Sequence, residues 1–249
     1  MGVSMKYMGS KNRIAKHLLP IILKDRKEGQ WYVEPFVGGA NMIDKVEGNR
    51  IGADFNNYVI EALKLIRDGY TPKNNSEFTE ADYAKAAGRY RDGLMLSQLE
   101  CYALIAFSFG AKWLGGWSRG KNSKGDHRDY VSEQHKASEK QRPLLQGLEL
   151  ISSSYGKLDI PPQSIVYCDP PYQGTTGYKD KFNHDDFWQW CRDKAKEGHN
   201  VFISEYNAPD DFVCVWQQDL NVSVAKNGKH KKATEKLFVH SSQAPEAEE

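Results

Sequence analysis

The stretch Cys168-Asp169-Pro170-Pro171-Tyr172 decides the fold, because it marks the abrupt end of a buried strand. The residues before it, Ser164-Ile165-Val166-Tyr167, form a short apolar run with a β-branched pair, which predicts a strand of a parallel sheet. Neither proline has an N–H to donate to a neighbouring strand, so the strand stops at Asp169. Open α/β sheets bind ligands at the carboxyl ends of their strands, and the motif therefore predicts a crevice here.

The chemistry of this motif suits a planar base that carries an exocyclic amine. The Asp169 carboxylate and the Pro170 carbonyl can accept the two amine N–H groups, while the Tyr172 ring can stack on the base. Pro171 keeps the loop stiff and extended. The alternative is an ordinary turn, because Asp and Pro are common turn residues and a following Tyr often belongs to the core.

A second ligand signal lies between Trp31 and Ala40, which read as a strand, a glycine turn and a helix start. The turn contains Glu34, Phe36, Gly38 and Gly39, but it lacks the G-x-G-x-x-G fingerprint of dinucleotide sites. The next predicted strand, Arg50 to Asp54, ends in a carboxylate, the usual position for an acid that accepts two ribose hydroxyls. Alternatively, Asp54 only caps the turn before a helix that begins at Asn56 or Asn57.

The segment Met5 to Lys11 precedes both strands and opens the fold. Ser10 is a suitable N-cap for a helix with Ile14 and Leu18 on its inner face. Gly9 and Ser10 allow close backbone approach at this helix start, where an anion can bind, and Lys11 adds a positive charge. The alternative is a capped surface helix without a ligand.

The alternation of strands and helices stops between residues 70 and 149. Two predicted capping boxes, Thr79 with Asp82 and Ser97 with Glu100, start helices there. The following recognition segment, Lys112 to Arg128, is glycine-rich and basic and carries two tryptophans, which favours a DNA-contacting insertion over a structural aromatic corner. Its candidate DNA contacts are Lys112, Trp117, Arg119, Lys121, Asn122, Lys124 and Arg128.

The alternation of strands and helices then resumes with a strand predicted from Leu150 to Tyr155, a helix capped by Asn183 and a strand from Asn200. A terminal antiparallel pair is predicted at Phe212 to Trp216 and Lys236 to Val239. The basic turn between them is either a second phosphate-facing element or a solvated hairpin tip. Its candidate DNA contacts are Lys229, Lys231 and Lys232.

The composition fits one sizeable core in a chain of 249 residues with 39% hydrophobic content. A net charge of +1 excludes a global polybasic surface, so DNA contacts must come from local patches. The four cysteines lack metal-ligand spacing and are interpreted as reduced core residues of a cytoplasmic protein. Neither a signal peptide nor a long apolar run is evident, so we expect no membrane contact. Because no pair of cysteines has metal-ligand spacing, we also expect no metal. Residues 241–249 are expected to be disordered.

Taken in order, these motifs resemble the Dam-type (D12 class) N6-adenine-specific DNA methyltransferases, and phage or prophage members in particular. The marks of the resemblance are Tyr7 to Lys11, Glu34 to Gly39, Asp54 to Asn56, and Asp169 to Tyr172. It implies a Rossmann-like α/β fold with a mostly parallel sheet, a terminal antiparallel hairpin and a helical target-recognition insertion. The implied domains are a catalytic one (1–69 and 150–240) and the insertion (70–149).

The resemblance also implies S-adenosylmethionine as cofactor and double-stranded DNA as partner, with no obligatory protein partner. Tyr7, Lys11, Asp54 and Asp169 would contact the cofactor, and the turn around Gly38 would hold its methionine part. Residues 169–172 would hold the target adenine, which must leave the duplex. Alternatives are methylation of another planar amine, in RNA or glutamine, and a DNA-binding protein without catalysis. A cytosine-C5 enzyme would need a proline-cysteine loop, which is absent from the sequence.

Overall fold

A seven-stranded sheet forms the centre of the molecule in the computed structural model, which describes residues 4–173, 182–222 and 231–244. The strands in chain order are β1 to β7, and they lie in the order β3-β2-β1-β4-β5-β7-β6. The first five are parallel, and β7 runs antiparallel to both β5 and β6. Their bounds are Tyr32–Glu34, Arg50–Asp54, Glu149–Ser152, Ile165–Cys168, Asn200–Glu205, Phe212–Val222 and Lys231–His240. This confirms the predicted α/β class with its terminal antiparallel pair.

Six α-helices, α1 to α6 in chain order, accompany the sheet in the described part of the chain. Their bounds are Ala15–Ile22, Asn57–Asp68, Glu80–Arg91, Gln98–Ala106, Tyr130–Gln141 and His184–Lys196. Asn56 caps α2 and Asn183 caps α6 through their side chains, and both predicted capping boxes are present at the starts of α3 and α4. Local polar residues therefore fix four helix starts as the sequence predicts.

The direction of the sheet order reverses between β1 and β4. From β1 the chain adds β2 and β3 on one side, and β4 and β5 follow on the other. A crevice opens at such a switch point, outside the carboxyl ends of the two central strands. The glycine turn after β1 and the Asp-Pro-Pro-Tyr motif after β4 therefore flank the same crevice.

The helices of the predicted insertion share one apolar core with the sheet. Tyr102 and Phe107 of the α4 region and Val131 of α5 are fully buried in the same cluster as Leu63 and Ile66 of α2. A second cluster, around Phe187 of α6, covers the other face of the sheet. Residues 70–149 thus extend one core, because their buried side chains pack against α2 and the sheet. None of the helices in the described ranges is long and apolar enough to cross a membrane.

Several local expectations differ from the structure. The glycine turn leads into a single 3-10 turn at Ile43–Lys45 in place of a helix. Cys214 is exposed, so the assignment of all four cysteines to the core is wrong for this one. Ser241–Gln243 form a 3-10 turn, and the Val201 N donates a hydrogen bond to the Gln243 Oε1 at 3.2 Å. Regular structure therefore extends into residues 241–249, which were expected to be disordered.

Candidate active site and nucleic-acid interface

The glycine turn after β1 has no room for larger residues. Gly38 has a φ of +47°, and a Cβ there would lie 2.8 Å from the Tyr7 ring. A Cβ on Gly39 would lie 2.7 Å from the Tyr7 Cβ. The aromatic ring of Tyr7 therefore lies directly over the turn, and only glycine permits this close approach. The structure thus brings together Tyr7 and the glycine turn, which were predicted separately to contact the cofactor.

Asp54, at the end of β2, connects the glycine turn to the helix that follows. Its carboxylate accepts hydrogen bonds from the Gly38 N at 3.1 Å and the Asn56 N at 2.9 Å. Burial raises its pKa to about 6, although both backbone bonds favour the ionised form. Phe55 beside it is 75% exposed, an apolar ring that faces solvent next to a partly exposed carboxylate. The two side chains offer a hydrogen-bond acceptor and a stacking surface.

Two other predicted cofactor residues have structural partners. Glu34 is buried and accepts a hydrogen bond from the Tyr32 hydroxyl at 2.9 Å, and burial raises its pKa well above the usual range. The Phe36 ring packs against Tyr155 and Phe187, with ring centres 5.5 and 5.7 Å away. Both side chains thus have partners within the protein, and a direct cofactor contact by either one stays a prediction.

Asp169 and Tyr172 belong to a compact group with Lys11 and Glu235, which we call the carboxylate cluster. The Lys11 Nζ lies 2.9 Å from the Asp169 Oδ1 and 3.7 Å from the Glu235 Oε2, and Lys11 is only 8% exposed. It also lies 4.6 Å from the centre of the Tyr172 ring. The Tyr172 hydroxyl donates to Glu235 at 2.7 Å. One buried cation thus bridges two carboxylates beside an aromatic ring.

Burial and charge have opposite effects on the pKa values in this cluster. Burial alone lowers the pKa of the Lys11 ammonium, but the carboxylates of Asp169 and Glu235 outweigh it and place the pKa above the usual value. Burial raises the pKa of Asp169, and Lys11 opposes the rise without cancelling it. The lysine stays charged, while the aspartate accepts a proton more readily than an exposed one.

Comparison with known proteins agrees with this geometry. Residues 7–97 match the family model of the D12 class N6 adenine-specific DNA methyltransferases. Over this region, somewhat more than a third of the chain, the protein is similar to that family. No curated protein matches the chain.

The matched methyltransferase region contains Tyr7, Lys11, the glycine turn and Asp54. Methyltransferases of this family act on the N6 amine of adenine in DNA, and the sheet order and terminal antiparallel strands are consistent with a Rossmann-like methyltransferase fold. Asp169 to Tyr172 and the recognition segment lie beyond the matched residues, so the family match does not bear on their roles. A phage or prophage origin stays a prediction.

Sequence reasoning missed three residues around the candidate site. Glu235 lies on β7, where its position in the strand gave no sign that it would meet Lys11 and Tyr172. Glu205 ends β5 and accepts from the Gln173 N at 3.1 Å and the Tyr206 N at 2.7 Å, which fixes the residue directly after Tyr172. The Tyr206 ring packs edge-on against Tyr172 at 4.6 Å. An acid at a strand end was a usable signal for Glu205, by the same argument that selected Asp54.

The tryptophans of the recognition segment pack inward. The Trp113 ring stacks on Tyr58 with centres 4.7 Å apart, and the Trp117 ring lies edge-on to Tyr83 and Phe107 at 5.8 and 6.0 Å. The aromatic corner that the sequence left as the alternative therefore describes both rings. A DNA contact by Trp117 stays a prediction, and its packing gives it a structural role in any case.

The basic residues of the recognition segment are mostly exposed. Arg119 is 72% exposed and pairs with Glu80, whereas Arg128 donates to Glu133 at 2.8 Å and stacks on a tyrosine ring. Asn122 holds a turn, since its Oδ1 accepts from the backbone of two residues further on the loop and its Nδ2 donates to a carboxylate. The remaining exposed cations are Lys112, Lys121 and Lys124. The recognition segment thus exposes positively charged side chains on a turn that the hydrogen bonds of Asn122 hold in place.

The second predicted DNA element, the basic turn, falls largely outside the described residues. Lys229 lies beyond them, and for Lys231 and Lys232 the structure describes the β7 backbone without the side chains. Their roles as phosphate contacts therefore remain predictions from the sequence.

Proposed function

We propose that this protein transfers a methyl group from S-adenosylmethionine to the N6 amine of adenine in double-stranded DNA, at a specific short sequence. The observation that carries the proposal is the Asp169 carboxylate, which lies at the end of β4 beside Tyr172, on the crevice that the glycine turn also borders. The match of residues 7–97 to the adenine methyltransferase family supports the reaction class.

The residues around the glycine turn fit the proposed cofactor. The Gly38-Gly39 turn packs against the Tyr7 ring with no room for a Cβ, and Asp54 and Phe55 beside it supply an acceptor for ribose hydroxyls and a ring for the adenine of the cofactor. S-adenosylmethionine supplies an electrophilic methyl group on a sulfonium. The carboxylates of Asp54 and Asp169 at the ends of their strands favour a ligand that carries a positive charge.

Asp169 and the Pro170 carbonyl would activate the target amine. The adenine N6 is a poor nucleophile because its lone pair is delocalised into the ring. When two acceptors each receive a hydrogen bond from the N6 amine, its lone pair becomes more localised and points at the methyl group. Tyr172 can hold the base by stacking. The raised pKa of Asp169 suits it to receive the proton that N6 loses after transfer.

The target base would have to replace Lys11 in this pocket. The ammonium is in contact with Asp169 and lies over the Tyr172 ring, the two groups assigned to the adenine. Glu235 is within 3.7 Å, so the lysine keeps a charged partner when the base takes its place. The retained contact with Glu235 therefore limits the cost of moving Lys11 away from Asp169.

The test is to express the protein in cells that lack adenine methylation and to sequence the modified adenines in their DNA. We expect N6-methyladenine in one short sequence motif, and none with the Asp169→Ala variant. Purified protein with labelled cofactor should also label duplex DNA, but not RNA or protein acceptors. Labelling of RNA or protein alone would favour the alternative acceptors, and cofactor binding without any transfer would favour a DNA-binding protein without catalysis.

A further inference from the structure

Helix α5 buries a polar stripe where a helix of this kind usually buries apolar residues. Gln134, Ser138 and Gln141 are spaced four and three residues apart, on one face of the helix, and each is at most 1% exposed. Buried polar side chains are retained where they satisfy other buried polar groups. Two of the three, Gln134 and Gln141, face the backbone of the segment that carries Tyr7.

Gln141 makes three hydrogen bonds, and all of them lead to the glycine turn or to its neighbours. Its Oε1 accepts from the Met5 N at 2.9 Å, and its Nε2 donates to the Gly39 carbonyl at 2.9 Å and to the Asp44 Oδ2 at 3.2 Å. Asp44 in turn accepts from the Ser4 hydroxyl at 2.6 Å. One amide group therefore joins the segment before Tyr7 to the turn that Tyr7 covers.

Gln134 extends the same attachment by one residue. Its Oε1 accepts from the Lys6 N at 3.3 Å, so two successive residues before Tyr7 are held by the same helix. Ser138 lies between the two glutamines but bonds elsewhere, to the Tyr102 hydroxyl at 2.8 Å. The stripe thus contains two members that hold the Tyr7 segment and one equally buried member that does not.

We propose that Gln141 is a positioning residue for the cofactor site: it fixes the Tyr7 segment and the glycine turn against each other. The inference rests on the proposed function, because it assigns the glycine turn to S-adenosylmethionine. Since α5 begins directly after the recognition segment, the part of the chain assigned to DNA also holds the part assigned to the cofactor. Without the amide, the segment before Tyr7 and the Gly39 carbonyl lose their shared hydrogen-bond partner, and the glycine turn is ordered for a smaller fraction of the time.

The first test measures this positioning without any cofactor, by hydrogen–deuterium exchange of Gln141→Met and Ser138→Ala. Met fills the volume of Gln without its polar atoms, and Ser138→Ala is the matched control on the same buried stripe. We expect faster exchange in peptides that cover residues 4–9 and 36–45 for Gln141→Met, and wild-type exchange there for Ser138→Ala. Unchanged exchange in both peptides for a folded Gln141→Met variant would overturn the inference.

The second test measures S-adenosylmethionine affinity by calorimetry and the kinetics of methyl transfer. For Gln141→Met we expect an affinity about tenfold weaker and a KM raised in proportion with kcat nearly unchanged, because the lost interaction acts on binding. Ser138→Ala should stay within about twofold of wild type. Equal losses in both variants would mean general destabilisation and would contradict the positioning role.

A milder variant keeps the inference testable if Gln141→Met does not fold. Gln134→Met removes only the Lys6 contact and should show the same faster exchange in residues 4–9, to a smaller extent. Wild-type exchange in that variant would count against the inference. If the wild-type protein itself binds no S-adenosylmethionine, the proposed function fails, whereas the exchange experiment still decides whether Gln141 holds the turn.

Discussion

The carboxylate cluster and the recognition segment both pair a cation with a carboxylate, yet the two pairs differ in burial. Lys11 is 8% exposed and lies between Asp169 and Glu235, whereas Arg119 is 72% exposed and pairs with Glu80 at the surface. Breaking a buried pair leaves an uncompensated charge, but water readily replaces a surface partner. The first arrangement can hold a precise geometry, and the second can exchange its glutamate for a phosphate or a base at little cost.

The largest effect should follow from removal of the acceptor in the carboxylate cluster. Asp169→Ala should lower the rate of methyl transfer at least about a hundredfold, because the target amine loses the group that orients its lone pair. The measurement is a single-turnover assay with labelled cofactor and duplex DNA. Circular dichroism serves as the control for folding, and transfer close to the wild-type rate would remove Asp169 from the active site.

The next effect concerns stability and compares the two cations directly. Lys11→Met should lower the free energy of unfolding by about 3–5 kcal/mol at pH 7.5, since Asp169 and Glu235 are left facing each other. Arg119→Met should change it by less than about 1 kcal/mol. Urea denaturation of both variants provides the measurement. Similar losses would show that burial does not separate the two pairs as described.

The affinity for the cofactor should depend on pH through Asp54. The change in binding free energy should be smaller than the loss of unfolding free energy expected for Lys11→Met. Its pKa of about 6 exceeds the usual value because of burial, so the carboxyl is partly protonated near pH 6. Ribose hydroxyls donate to the ionised form, and S-adenosylmethionine affinity should therefore rise as pH increases from 5 to 7 and level off above that.

Two variants of Asp54 check this dependence by calorimetry. Asp54→Ala should weaken cofactor binding by about 1.5–3 kcal/mol while DNA binding changes less. Asp54→Asn should give an affinity that is flat between pH 5 and 7, since it has no proton to lose. A wild-type-like pH profile in Asp54→Asn would assign the titration to another group.

The smallest effects belong to the recognition segment. Arg119→Ala should relax discrimination at one base of the target by about 1–3 kcal/mol, because an exposed guanidinium can bind a base edge. Lys124→Ala should weaken binding alike on all sequences and reduce the salt slope by about one. Binding assays on single-mismatch duplexes at several salt concentrations separate the two. An unchanged mismatch profile for Arg119→Ala would leave that residue with a phosphate role at most.

Local signals made the fold and half of the site predictable. Asn56, Asn183 and the two capping boxes act within a few residues of their own helices, and Asp54 and Asp169 follow from the rule that parallel strands end at a common edge. Residues that act across the sheet gave no such signal: Glu235 meets Lys11 and Tyr172 only because β7 inserts between β5 and β6.

Burial of aromatic residues was the other limit of the sequence reasoning. Trp113 and Trp117 occupy a loop rich in glycine and lysine, a composition typical of DNA contacts, but Tyr58, Tyr83 and Phe107 offer them partners from other elements. Those partners come from segments distant in the chain, so composition within the loop could not reveal them. Gln141 could not be predicted for the same reason, since its three hydrogen bonds all join residues that are far apart in the sequence.

The position of β7 between β5 and β6 has a consequence for how the protein is made. Lys11 enters the ribosome exit tunnel early and Glu235 late, and the cluster that they share cannot form until β7 has inserted between its two neighbours. Such distant pairing is slow compared with helix formation. A nascent or truncated chain without β7 would therefore lack Glu235, and Lys11 would be left with Asp169 alone of its two carboxylate partners.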